Sequence, residues 1–325
     1  MNAASQITFD TNLLERLPVV RGEYEENFLL SRYTWFRTGG PAEVLFKPKD
    51  ADDLAAFMDG KPADVPVTVI GVGSNLLIRD GGVPGVVIRL GKGFSCVSVR
   101  QDHILAAGGA LDVSVAAAAR DAGLAGLEFL TGIPGTIGGA LKMNAGAYER
   151  EIRDIVLYAR VVDSDGNQRH MRADEMDFGY RSTSLPDDWV VVGVVMQGIR
   201  GNRGAIARRM EEIRSQREDT QPVRTKTGGS TFQNPSSVDG AGRKAWELID
   251  IAGCRGLVRG GAMVSEKHCN FLINTGAATS ADLEELGDDV KRRVLNRTGV
   301  DIHWEIRRIG IPLNSNSGNN GGQGA

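Results

Sequence analysis

The sequence predicts an α+β protein built from two unequal parts. Three observations predict it. Short apolar runs lie between turn residues, stretches of helical period separate and follow them, and the composition shifts at Gly201. With 325 residues the chain is long enough for two domains, each with its own core.

Residues 1–20 read as a short amphipathic lead-in. From Tyr33 to Leu90, the strand-like runs AEVLFKP, VTVIGVG and GVVIRL flank a helical patch, DADDLAAFMD. The stretch ILAAGGALDVSVAAAARDAGLAGLEFL then predicts a strand, a turn and a helix, with Asp112 as N-cap and Gly123 as its stop. Two strands follow: IVLYARVVDSDG, ending in an Asp-Gly turn, and WVVVGVVMQGI. Beyond Gly201, RGAIARRMEEIRSQRED places Ile206, Met210 and Ile213 on one helical face. Its arginines read as a solvated face in preference to a phosphate patch. A helix at KAWELIDIAG and a strand at CNFLIN come next. A longer helix starts near Ser280, with Leu283, Leu286, Val290 and Val294 in register, and stops at Gly299. A final strand, DIHWEIRRIG, alternates Ile302, Trp304 and Ile306 with His303, Glu305 and Arg307. Residues 314–325 lack the apolar content to fold and are expected to be disordered.

Composition narrows the function. There are 38 basic and 41 acidic residues, a net charge of −3, so neither nucleic acid nor an anionic membrane is indicated as a partner. The longest apolar run, WVVVGVV, is far too short to span a bilayer. The start shows no basic segment followed by an apolar core, so no export signal is expected. Three scattered cysteines (Cys96, Cys254, Cys269) suit reduced thiols in a cytoplasm and offer no zinc spacing, so no metal site is expected.

Two glycine-rich loops carry the chemistry. In VIGVGSNLLI, Gly71, Gly73, Ser74 and Asn75 follow a strand, but Leu76 stands where a Rossmann loop has its third glycine. No Gly-Lys-Ser/Thr follows, which excludes a P-loop. The second loop, TGIPGTIGGALKMNAGAY, has Gly132, Gly135, Gly138, Gly139 and Gly146, whose missing β-carbons free backbone N–H groups to face a diphosphate. Thr131, Thr136 and Asn144 add side-chain hydrogen bonds. One such loop alone serves equally as a tight turn; two favour an extended dinucleotide.

These segments, together with YTWFRTGGPAEVLFKP, resemble the FAD-binding half of the UDP-N-acetylenolpyruvoylglucosamine reductase family of peptidoglycan synthesis, with its p-cresol methylhydroxylase-like fold. The resemblance runs from Tyr33 to Gly310. It implies a two-part FAD-binding domain over 21–202, a substrate-binding domain over 203–300, and a last strand, 301–313, returning to the first. It implies that both loops, Leu76 included, hold FAD. His103, His170, His268 and His303 lie outside the loops, so the FAD is expected to be non-covalent and refilled by NADPH. The segment FGYRSTSL resembles the family's Tyr-Arg-x-Ser run and implies Arg181 in the active site, with Tyr180 as a substrate contact. TGGSTFQNP implies Ser230 as proton donor and Gln233 and Asn234 as substrate contacts. HWEIR implies Glu305 beside them, and SEKHCNFLIN adds Asn270, with Cys269 as a small core residue.

The residue chemistry agrees. A planar, permanently charged guanidinium fits a carboxylate, and a hydroxyl beside Gly228 and Gly229 can deliver a proton. Singly, each has a plainer reading: Arg181 pairing with Asp177 or Asp187, Ser230 as a turn residue, Glu305 pairing with Arg307. The chain departs from the family at Gln233, where lysine is usual, and at Thr220, where a basic residue is common; Arg224 and Lys226 are alternative sources of charge. The short segment after Tyr180 resembles the family's second subtype. The implied activity is ping-pong, NADPH-dependent reduction of UDP-N-acetylenolpyruvoylglucosamine to UDP-N-acetylmuramate by a cytoplasmic monomer. An oxidase of the same fold, or a silent nucleotide-sugar-binding flavoprotein, are the rival readings.

Overall fold

Two sheets of opposite character make up the first part of the molecule. The computed structural model describes residues 9–313 apart from 11, 237 and 241. The tail expected over 314–325 lies outside these residues; of the lead-in, Leu13–Arg16 forms one helical turn.

The first sheet runs in the order Glu23–Leu29, Pro41–Lys47, Val83–Arg89, Val67–Ile70. Its last three strands are parallel and its first is antiparallel. Parallel strands covered on both faces read as unbroken apolar runs, and Pro41–Lys47 is buried at five successive positions. Helix Ala51–Gly60 starts at Asp50, whose carboxylate accepts from the Asp53 N–H, and buries Leu54, Phe57 and Met58 against Val44, Phe46 and Ile88. The edge strand Glu23–Leu29 was not foreseen: EYEENFL is mostly polar and only partly covered.

The second sheet has five antiparallel strands, Gln168–Arg172, Val156–Val162, Val190–Gln197, His103–Ala107 and Val97–Arg100. Val190–Gln197 lies at its centre, buried at all but its last position. Val115 and Ala116 of helix Asp112–Ala122, Ile137 of helix Ile137–Lys142, and Ile206 and Met210 of helix Arg203–Thr220 share one core with this sheet. The packing thus carries the first core past residue 202.

Helix Asp112–Ala122 ends as expected, with Gly123 in the left-handed conformation. Its start corrects the expectation. Leu111 holds the N-cap position and Asp112 is the first helical residue, fully buried, with neither carboxylate oxygen hydrogen-bonded. Its carboxyl points inward behind Gly135, where it cannot reach the helix's free N–H groups.

The smaller part packs the antiparallel strands Val258–Arg259, Ala262–Val264 and Leu272–Asn274 against helices Ala245–Ile251 and Ser280–Thr298. Leu283, Leu286, Val290 and Val294 are all fully buried in that core, and Phe36 and Leu77 join it from the first part. Thr279 caps the long helix in a capping box with Asp282.

The last strand is shorter than DIHWEIRRIG: only Arg307–Ile309 enters a ladder, parallel to Leu76–Ile78. Residues 303 and 305 bond instead to the Ser230 loop, through Gln233 N–H to the His303 carbonyl (2.8 Å) and Glu305 N–H to the Thr231 carbonyl (2.8 Å). Among the described residues no helix is long and apolar enough to cross a membrane.

Gly287 shows how tightly this segment is held. A β-carbon there would overlap the indole of Trp304, which packs at a tilt against Phe232 and donates to Asp288 (3.0 Å). Gly287→Ala is expected to displace the indole and cost about 1–3 kcal/mol in urea unfolding; an unchanged midpoint contradicts that packing.

Candidate active site

A cavity of about 540 Å³ opens where the two glycine-rich loops meet the smaller part. The first loop leaves Val67–Ile70 and turns at Gly73, where φ is +68° and a β-carbon would sit 2.6 Å from the Tyr33 carbonyl oxygen; only glycine fits. Gly139 is different. Its β-carbon would meet nothing closer than Thr136 Oγ1 at 3.5 Å, so it is the open cavity that its bare backbone faces.

Every glycine assigned to the cofactor lines this cavity, with Ser74, Asn75, Leu76 and Thr136. Beside the second loop, the Thr131 hydroxyl and the Asp112 carboxyl are buried without partners. Burial pushes the Asp112 carboxyl well above the usual carboxylate range. A glycine-walled trough with spare polar groups fits FAD. No histidine or cysteine lines it, so it offers none of the usual groups for a covalent link.

Asn144 departs from its expected role. It is fully buried, and its side-chain amide donates to the Gly179 carbonyl (2.9 Å) and Glu151 (3.0 Å) while its oxygen accepts from the Arg153 N–H (3.1 Å). With its polar atoms so used, it braces the turn that carries Arg181 and does not line the cavity. Arg181 itself stands at φ +55°, an uncommon conformation for a residue with a β-carbon. Its guanidinium donates to the Gly146 carbonyl (2.9 Å) and to Glu305 Oε1 (3.3 Å).

Arg181, Ser230 and Glu305 all line the cavity. The Arg181–Glu305 pair, with side chains 17% and 15% exposed, replaces the plainer partners considered from sequence. Arg307 bonds Asp187 instead (3.0 Å). Burial pushes the Glu305 carboxyl up, and the Arg181 guanidinium draws it part of the way back. Tyr180 is half exposed and lies outside the cavity wall, its ring beneath the Arg181 guanidinium at 5.2 Å.

The Ser230 loop is gripped by Asn270, which was expected to touch substrate. Buried at 4% exposure, its amide donates to the Phe232 carbonyl (2.9 Å) and its oxygen accepts from the Phe232 N–H (3.0 Å). The side chain mimics a ladder rung and faces backbone, away from the cavity. Asn234 engages backbone with one atom only: its Oδ1 accepts from the Ala245 N–H (3.0 Å) at the start of helix Ala245–Ile251, and among the described residues its amide nitrogen has no side-chain hydrogen bond. Gln233 faces a neighbouring cavity of about 520 Å³, beside Lys142, whose ammonium burial pushes down to about 8. Cys269 is buried, and its thiol donates to the Trp246 carbonyl (2.9 Å). Sequence reasoning missed Arg217 and Gln221, which also line the main cavity; an arginine on a polar helix face carries no local sign of which way it turns.

Residues 42–172 match the FAD binding domain, and residues 221–309 match the C-terminal domain of UDP-N-acetylenolpyruvoylglucosamine reductase. The UDP-N-acetylenolpyruvoylglucosamine reductase of Rhodospirillum rubrum is 58% identical over 96% of this chain and 98% of its own length. The chain belongs to the UDP-N-acetylenolpyruvoylglucosamine reductase family. The reductase of Parvibaculum lavamentivorans is also 58% identical, over 92% of this chain and 95% of its own length. The crystal structure of the reductase from Thermus caldophilus superposes with a TM-score of 0.76 at 35% identity, covering 89% of this chain and 99% of that one. The FAD-binding fold that the resemblance implied is therefore shown, and FAD is the cofactor of this member of the reductase family.

Two substitutions test the site's construction. Gly139→Val meets almost no protein, so thermal unfolding of the apoprotein should barely change while FAD affinity falls by at least about tenfold, roughly 1.4 kcal/mol. Fluorescence titration of FAD beside circular dichroism reads both, and a folding defect with normal FAD affinity contradicts the cradle. Asn270→Ala strands the Phe232 N–H and carbonyl, and should cost about 1–3 kcal/mol in chemical unfolding; no loss would mean the grip is dispensable.

Proposed function

We propose that this protein is the NADPH-dependent, FAD-containing reductase that converts UDP-N-acetylenolpyruvoylglucosamine to UDP-N-acetylmuramate for peptidoglycan precursor synthesis, acting as a monomer in the cytoplasm. One observation carries the reading. Arg181, Ser230 and Glu305, from three distant segments, converge on one glycine-walled cavity.

Bound FAD, recharged by NADPH, supplies the reducing equivalents for the enolpyruvyl double bond. The chain does the rest. The Arg181 guanidinium is fixed by the Gly146 carbonyl and Glu305, and its charge meets the substrate carboxylate and the negative charge developing on the adjacent carbon. Ser230 delivers the proton that discharges it. Gly229, at φ +82°, sets the hydroxyl on a tight turn, and Asn270 and Glu305 hold the residues after it. Serine is a weak acid in water, so its competence depends on the Arg181 cation on the same cavity wall and on the enclosure of the cavity. Glu305 orients Arg181.

Ser230→Ala separates the two halves of the cycle. Flavin reduction by NADPH precedes any need for the hydroxyl, and should proceed at near-normal rate. Reoxidation by the enolpyruvyl substrate should slow by about 10² to 10⁴, with Ser230→Cys recovering part of the loss. Stopped-flow absorbance of the flavin resolves both steps. Unchanged reoxidation would falsify the proton-donor role.

A further inference from the structure

The outer arginines of helix Arg203–Thr220 behave as a solvated face: Arg209 pairs with Glu212 and Arg214 with Glu211. Arg217, in the last turn, does not. It turns inward, is half-buried, and lines the reaction cavity together with Gln221. Among the described residues no carboxylate lies within salt-bridge distance of it. Its one side-chain hydrogen bond runs from Nε to Gln221 Oε1 (3.1 Å), which leaves its terminal nitrogens and the Gln221 amide N–H groups unused.

Two other cations of the cavity wall are matched, Arg181 by Glu305 and Arg307 by Asp187, whereas Arg89 stacks on Tyr33 and Lys142 donates to the Pro186 carbonyl. Arg217 has been partly stripped of water with no anion given in exchange, and burial accordingly pushes its pKa down. Such a cation is unfavourable unless a ligand completes it. The position is also held in place. The Tyr148 hydroxyl donates to the Ile213 carbonyl (3.0 Å), tying this helix one turn before Arg217 to the second glycine-rich loop. Arg217, Gln221, Gly228, Gly229 and Ser230 belong to one continuous stretch of chain, separate from both cofactor loops, and all line the same cavity.

We propose that Arg217 and Gln221 form an anion subsite of the reaction cavity that takes a phosphate of the nucleotide-sugar substrate. The guanidinium fork matches two phosphate oxygens, and the Gln221 amide, held through its carbonyl by Arg217, donates to the same group. The assignment rests on the function proposed above for the choice of nucleotide. Its place on the Ser230 segment assigns it to substrate in preference to the FAD diphosphate.

The test titrates UDP into FAD-loaded protein by calorimetry, and FAD into apoprotein by fluorescence. Arg217→Gln should weaken UDP by about 10- to 100-fold, the loss of one charge-assisted contact, and leave FAD affinity within about twofold. Arg217→Lys, which keeps the charge and loses the fork, should fall between. Unchanged UDP affinity in Arg217→Gln overturns the proposal, as does a parent that binds no UDP. A loss of FAD affinity with UDP binding intact also overturns it and reassigns Arg217 to the cofactor. Failure of the functional reading shows separately, as a parent that binds UDP through Arg217 yet oxidises no NADPH with the enolpyruvyl substrate.

Discussion

The site depends on a single stretch of backbone, residues 303–309, gripped from two sides. On one side Arg307 N–H donates to the Asn75 carbonyl (3.1 Å) and the following residues pair in parallel with Leu76–Ile78. The Asn75 amide also donates to the Glu305 carbonyl (3.2 Å). On the other side the Glu305 N–H and the His303 carbonyl bond the residues just after Ser230. The first cofactor loop and the Ser230 loop are thus registered against the same strand. Glu305 meets Arg181, 124 residues away in sequence, only because of that double grip.

Arg181 illustrates how the surrounding network stabilises an unfavourable arrangement. A left-handed backbone at a residue with a β-carbon costs about 1–3 kcal/mol, and a buried ion pair gains little net energy once desolvation is counted. Hydrogen bonds to charged groups contribute about 1.5–3 kcal/mol each. The carbonyl of Gly146 and the carboxylate of Glu305 supply two, while Asn144 locks the turn behind them. The balance favours one fixed guanidinium position, which is what a group aimed at developing charge requires.

Much of this was readable from residues alone, and the failures have a common cause. Gly123 and Gly299 end helices because their φ values, +69° and +74°, suit glycine, and Leu283 to Val294 lie in the core because their spacing matches a helix. The polar strands Glu23–Leu29 and Gln168–Arg172 were invisible because both sit at sheet edges, where pairing is set by neighbours. From sequence three asparagines point at ligand, whereas the Asn144 and Asn270 amides face backbone and Asn234 turns its oxygen to backbone. An amide's type states that it will be hydrogen-bonded; whether it faces ligand or backbone is decided by contacts dozens of residues away. Arg217 was lost among solvated arginines for the same reason.

Because residues 303–309 follow every other part of the site along the chain, the order of synthesis has a bearing on them. A nascent chain that has passed residue 200 already contains both glycine-rich loops and the sheets that support them. It still lacks Ser230 and Glu305, and the strand that aligns them against Asn75 is made last. Domains fold broadly in the order in which they emerge. The site is therefore incomplete until these residues dock, because the Ser230 loop and Glu305 are aligned with the first glycine-rich loop only through them.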